Sequence, residues 1–265
     1  MPFFKVRASS VAEFFDCPER WAAKHLDGKV FPSSAPAAIG TAVHAGTAVF
    51  DGERLAGNQI TVDDAAEVVE KLIRQPEEEV DWGGLPLRKA LQAGIGAYSR
   101  YCEEIAPRLK IIEVERDLPP LQVDIPIDEK TGLHCTLELT GTLDRILQFG
   151  NNFAVGDIKT GGRVCSQAVG KHKAQMGVYE LLAENGLLYS INAPAQIIKL
   201  QTSTNYQVAL EPVQGARLAL LGNEYRAGWL THMARMLVSG DFYGNPGSQL
   251  CLKRFCPQWE HCLWR

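Results

Sequence analysis

G-T-L-D-R-I-L-Q-F-G-N-N-F-A-V-G-D-I-K, residues 141–159, reads as two β-strands joined by a tight turn. Leu143–Phe149 is the first strand and Phe153–Ile158 the second. The intervening Gly150-Asn151-Asn152 is hairpin chemistry, because Gly and Asn accept positive φ at little cost. A two-residue turn at Gly150-Asn151 sets Asp144 opposite Asp157, and one at Asn151-Asn152 sets it opposite Lys159. Side chains alternate along a strand, so Asp157 and Lys159 share a face. Either two-residue turn therefore gathers Asp144, Asp157 and Lys159 on one side of the sheet. A three-residue turn places Asp144 on the other side.

Two carboxylates and a lysine converging on one face suit a hard cation. Mg²⁺ or Mn²⁺ takes oxygen ligands, and one or two carboxylates with waters and a substrate phosphate are enough. Such an ion makes hydroxide available near neutral pH and neutralises charge developing on phosphorus. An isolated D-x-K is common and reads as a salt-bridged surface hairpin, so the rest of the chain has to decide.

Asp144 followed by Asp157-Ile158-Lys159 resembles the split motif of the PD-(D/E)xK nucleases, in particular the RecB-like branch. There G-x-x-D-R is followed, after a hairpin, by D/E-x-K. The resemblance implies an α/β, restriction-endonuclease-like core with a central mixed sheet flanked by helices. It further implies that Asp144 and Asp157 bind metal and that Lys159 is catalytic. Pro36–Phe50 reads as a helix whose small residues, G-T-A-V-H-A-G, permit close packing. A lone histidine on a helix is usually a packed core residue. His44, four residues after Gly40, matches the family's G-x-x-x-H helix, which implies a third metal ligand. Gln175 and Tyr179 sit at i and i+4 on a helix beginning near Ser166. They resemble the family's Gln-x-x-x-Tyr, whose implied role is to contact DNA and orient the site.

The chain has 265 residues and is 46% hydrophobic, ample for a core. It contains no apolar run long enough for a bilayer. Met1–Arg7 has neither the apolar region nor the cleavage site of a signal peptide, so an intracellular, cytoplasmic location is expected. The net charge of −4 means that any nucleic-acid surface must be local. Such a surface is expected just after the hairpin. Ile158–Tyr179 has no acidic residue but carries Lys159, Arg163, His172, Lys171 and Lys173. Arg163, Lys171 and Lys173 are the candidate phosphate contacts.

Seven cysteines, an odd and uneven set, argue against a secreted disulfide framework. Cys251, Cys256 and Cys262 are close enough together for metal ligation, and Cys17, beside Pro18, is the candidate fourth ligand. The arrangement resembles the iron–sulfur clasp of RecB-like nucleases, including AddB-type and CRISPR-adaptation enzymes. That implies a [4Fe–4S] cluster joining the two ends of the chain, although the first C-terminal gap is longer here. Zinc, with His261 or His25 as replacement ligands, is the alternative. Cys102 and Cys135 read as core residues, and Cys165 is undecided.

Outward from the hairpin, Ser9–Leu26 reads as two helices broken at Cys17-Pro18, with Ser9 as cap and Phe14, Phe15, Trp21 and Leu26 in the core. Thr61–Gln75 is a capped helix and Leu87–Ile105 a long one. Ile111–Val123 and Leu133–Leu139 are strands, with turns at Pro119-Pro120 and Lys130-Thr131-Gly132. Glu138 on these strands is expected on a solvated face, and Glu115 ranks below it as a site residue. Ala195–Leu200 and Tyr206–Leu210 form a second hairpin, and Pro212–Val238 one long amphipathic helix through Leu218, Leu221, Tyr225, Trp229 and Met233.

One domain over 1–265 is expected: a mainly helical 1–110, a catalytic sheet core over 111–210 and a helix with the cysteine cluster over 211–265. There is no G-x-x-x-x-G-K-[ST] loop. The reading is a metal-dependent DNA exonuclease acting at single- or double-stranded ends, in recombination, repair, or phage or CRISPR DNA processing. It has no membrane partner, and a homo-oligomer or a phage or CRISPR protein is the expected company. The alternative is a DNA-end-binding or assembly subunit with a nuclease fold.

Overall fold

The computed structural model describes residues 1–162 and 170–265. In order the elements are β1 (Phe3–Arg7), α1 (Ala8–Asp16), α2 (Pro18–His25), β2 (Ser33–Ser34), α3 (Ala35–Leu55), α4 (Val62–Arg74), β3 (Val80–Asp81) and α5 (Leu87–Arg100). Then come β4 (Ile111–Asp117), β5 (Leu121–Asp128), β6 (Leu133–Thr140), β7 (Thr142–Phe149), β8 (Asn152–Gly161) and α6 (Lys173–Gly186). The chain continues through β9 (Ala195–Gln201), β10 (Val208–Val213), α7 (Ala216–Leu221), β11 (Gly222–Asn223), β12 (Arg226–Ala227) and α8 (Trp229–Ser239).

Among the described residues a mixed five-stranded sheet runs β10-β9-β8-β7-β4, parallel only at β8–β9. Strand alternation gives each face its own core. Val155 and Ile197 point toward α1, α6, α7 and α8. Ile158 and Ile198 point toward α3, α4 and α5. The hairpin pairs Phe149 with Asn152 and Arg145 with Gly156, so the turn is Gly150-Asn151. This is the register that sets Asp144 opposite Asp157.

Helix α3 starts at a Ser34 cap whose hydroxyl accepts from the Ala37 N–H. It lies against β8 so closely that a Cβ on Gly40 would stand 2.7 Å from Thr160 Oγ1. A side chain there would collide with the Thr160 hydroxyl. The Thr61 cap is a full capping box with Asp64, which fixes the start of α4.

Several expectations are corrected. β1 and α1 replace a Ser9 cap: the helix begins at Ala8, and Ser10 Oγ donates back to the Arg7 carbonyl. Leu26 lies just beyond α2 and is 46% exposed, outside the core that holds Phe14 and Trp21. Pro119-Pro120 lack the N–H groups a ladder needs, and the chain there leaves one sheet for another. β4 edges the central sheet, whereas β5 and β6 join β1 in a separate three-stranded sheet. The long helix over Pro212–Val238 is instead α7, a small hairpin and α8. Gly222 at φ +80° ends α7, and Leu218 and Tyr225 are left 60% and 82% exposed. A π turn over Tyr101–Ile105 continues α5. The helix expected from Ser166 is described from Lys173 onward. Cys102 and Cys135 are buried core residues, and Cys165 lies outside the described residues.

Candidate active site

The last ladder pair of the central hairpin is Arg145–Gly156. Beyond it the side chain of Asp144 takes the place of a strand partner: Oδ2 accepts the Ile158 N–H at 2.8 Å. His44 Nδ1 approaches the same oxygen at 3.3 Å from α3. Asp157, buried, faces α6. Its Oδ1 accepts from Lys159 Nζ at 2.9 Å and from Gln175 Nε2 at 3.0 Å, and Nζ lies 2.7 Å from Oδ2. Gln175 Nε2 also donates to the Tyr179 hydroxyl at 3.1 Å. The structure thus brings together His44, Asp144, Asp157, Lys159, Gln175 and Tyr179.

Burial, with Asp144 adding to it, pushes the Asp157 carboxyl up to about 7 against the pull of Lys159. Burial holds His44 below the ordinary histidine range; Asp144 opposes this, while Lys159 and Arg145 push the same way. Burial pushes His172 down to about 3, reinforced by Lys159, Lys171 and Lys199. That convergence marks a positive region beside the site. Lys171 is exposed and Lys173 half-buried; Arg163 lies outside the described residues.

Glu115 and Glu138 exchange rank. Glu138 pairs with Lys5 at 3.4 Å in the separate sheet. Glu115 lies on β4 between the pairs Val114–Arg145 and Arg116–Leu143, across from Asp144, with φ +47°. Burial first and Asp144 second raise its carboxyl. Sequence reasoning also missed Asp51, Tyr101 and Lys199. Lys199 stands beside Lys159 only through the parallel β8–β9 register, which the sequence does not announce. Asp51 lies two helical turns after His44 and carried no signal.

The four cysteines expected to hold a cluster lie near one another. Cys17, Cys251, Cys256 and Cys262 line one small pocket, with Arg20, Asn245, Ser248 and Trp264 around them. Cys17 is presented by the break between α1 and α2, where its extended backbone (φ −155°) separates the helices. Burial raises the Cys256 thiol, and Cys17 and Cys262 add to the shift. Neither His25 nor His261 lines this cavity; His25 stacks on Trp21 and contacts Glu13. Among the described residues no group of three or more His, Cys, Asp or Glu side chains is arranged to hold a metal ion. No helix among them is long and apolar enough to cross a membrane.

A solved structure described as "Crystal structure of SSO0001" aligns with 98% of this chain and 85% of that one, at 12% identity and a TM-score of 0.42, too loose to carry an argument. No curated protein matches. The family model described as "PD-(D/E)XK nuclease superfamily" matches residues 6–263, from β1 to beyond the last cysteine. With Asp144 and Asp157-x-Lys159 meeting where β7 and β8 part, the chain belongs to the PD-(D/E)XK nuclease superfamily.

Proposed function

We propose that this chain is a Mg²⁺- or Mn²⁺-dependent DNA exonuclease of the RecB-like branch, carrying a [4Fe–4S] cluster. One observation carries the catalytic part. Two carboxylates, one lysine and one histidine from three separate elements meet at the opening between β7 and β8. The donors fit a hard divalent ion: Asp144 and Asp157 offer carboxylate oxygens from neighbouring strands, and the two carboxylates repel. His44, Asp144 and Asp157 would hold that ion. When bound, it lowers the pKa of a water and neutralises charge developing on phosphate.

The protein's own groups have separable roles. Lys159 Nζ, hydrogen-bonded to Asp157 at the mouth of the site, orients the attacking water and the scissile phosphate. Gln175 fixes the Asp157 carboxylate, and Tyr179 fixes Gln175 through the second amide hydrogen. Lys171, Lys173 and Arg163 supply phosphate contacts. Action at DNA ends, in recombination, repair, or phage or CRISPR processing, is supported by the resemblance to end-processing RecB-like enzymes.

The four thiols round one cavity support the cluster. Four cysteines with no histidine among the lining residues favour iron–sulfur over zinc-histidine ligation, and metal and sulfide analysis of anaerobically purified protein separates the two. The test of function is digestion of end-labelled and circular DNA, single- and double-stranded, with Mg²⁺ and with Mn²⁺. Release of terminal nucleotides from linear DNA only, dependent on the ion, is expected. Cleavage of circles would make the enzyme an endonuclease, and no cleavage with either ion would overturn the reading.

A further inference from the structure

Arg145 is fully buried on β7, on the face opposite Asp144, and reaches across to α3. Its Nε donates to Asp51 Oδ2 at 2.7 Å and its Nη1 to the Asp144 carbonyl at 2.6 Å, with Glu115 Oε1 3.4 Å from Nη1. The hydroxyl of Tyr101, presented by the π turn after α5, donates to the same Asp51 oxygen. Burial, then Asp51, keeps that phenol protonated and so a donor. Asp51 is seven residues after His44 on α3, about two turns along one helix face.

The arrangement is costly as a stabilising device. Arg145 Nη2 and Asp51 Oδ1 are buried and lack hydrogen-bond partners. Apolar residues of similar volume often replace such a pair at no loss of stability. What the pair does, and an apolar contact cannot, is set direction. One guanidinium joins the backbone of the residue that presents Asp144 to the helix that presents His44.

We propose that Arg145, with Asp51 and Tyr101, is a positioning group for the nuclease site: it fixes the offset between α3 and β7, and so the spacing of His44 from Asp144. The inference rests on the reading of those two residues as metal ligands. Partners behind metal ligands typically control affinity by about 10- to 100-fold.

The test is Mn²⁺ binding by titration calorimetry on the full chain, beside thermal melts and DNA binding in chelator. An Asp51→Leu/Arg145→Met double variant removes both charges and keeps an apolar contact. It should melt close to wild type and bind DNA normally in chelator, yet lose about 10- to 100-fold in Mn²⁺ affinity. A purely structural pair predicts that affinity returns with stability. Wild-type Mn²⁺ affinity in the folded double variant overturns the proposal. Should the double variant not fold, Asp51→Asn decides by the same criterion, since it retains the shape and the Tyr101 contact. Wild type and Asp157→Ala serve as controls. If wild type binds no Mn²⁺, or Asp157→Ala binds it fully, the metal-site reading itself falls and takes this inference with it.

Discussion

The carboxylate site and the cysteine corner are built in opposite ways. Asp144 and Asp157 sit on neighbouring strands of a sheet with a packed core on each face, so their backbones are fixed before any ion arrives. The C-terminal cysteines follow Ser239, where the chain forms turns and no further helix or strand. That segment meets the N-terminal helices through polar contacts: Asn245 Nδ2 on the Asp16 carbonyl at 2.8 Å, Ser248 Oγ on Asp16 Oδ2 at 2.6 Å and Lys29 Nζ on Gln258 Oε1 at 2.6 Å. On the proposed reading, a metal at the first place would serve chemistry on a scaffold that stands without it. A metal at the second would become part of folding, because ligands drawn from distant segments convert binding energy into stability.

The sharpest contrast comes from single substitutions. Asp157→Ala should reduce cleavage to background while leaving the melting temperature nearly unchanged, because it removes an ionisable group that burial disfavours. Lys159→Ala should keep Mn²⁺ binding and lose about 10²–10³-fold in rate, the range for losing one positioned donor to developing charge. Rates near wild type in both variants under saturating Mn²⁺ would remove this site from the mechanism.

The cysteine corner should answer the other way. Cys17→Ser and Cys256→Ser should each bleach the broad visible absorption of the anaerobic protein and cost about 2–5 kcal/mol, the scale of losing a native cross-link. Both would remove ligands of one cluster, so the two losses should match. A colourless wild type with stoichiometric zinc would replace the cluster by zinc. A Cys17→Ser protein that keeps its colour would assign the fourth ligand elsewhere.

The pH response is smaller and belongs to the carboxylate site. The folded-state pKa of Asp157 is raised to about 7, so between the ordinary carboxylate range and 7 the folded protein holds a proton that the unfolded chain has released. Its contribution to stability without metal is complete below about pH 4 and is lost as pH rises through about 7. Cation and proton compete for the same oxygen, so Mn²⁺ affinity should rise by about tenfold per pH unit below 7 and then level off. A flat affinity from about pH 5 to about pH 8 would show that Asp157 is already ionised.

How much of this was legible depended on range. A tight turn within Gly150-Asn151-Asn152 follows from local chemistry, but only the strand register picks Gly150-Asn151 and so the pairing of Asp144 with Asp157. The Cys17-Pro18 break and the Thr61 cap are local in the same sense. The four cysteines were gathered by spacing and resemblance, and they meet at one cavity. What failed was long-range. Nothing between Ile111 and Leu139 announces that β4 joins one sheet and β5 and β6 another. Glu115 reads as an ordinary strand residue until the β4–β7 register sets it across from Asp144. Asp51 and Arg145 are 94 residues apart, and only the packing of α3 against the central sheet brings their charges together.

The smallest expected effect lies outside both metal regions. Lys171 is exposed and Lys173 half-buried at the start of α6, the helix whose Gln175 reaches Asp157, and Lys171 is among the cations that depress His172. Strands entering the site would therefore pass these two ammoniums. Their energy with phosphate is largely released counterions, which salt removes. A Lys171→Gln/Lys173→Gln variant should bind DNA several-fold more weakly, with the slope of log K against log salt shallower by about 1 for each lost contact. Mn²⁺ affinity and iron content should stay at wild-type values, because neither lysine touches a ligand of either site. An unchanged salt slope would turn this stretch away from the DNA and leave the phosphate contacts to be sought elsewhere round the opening between β7 and β8.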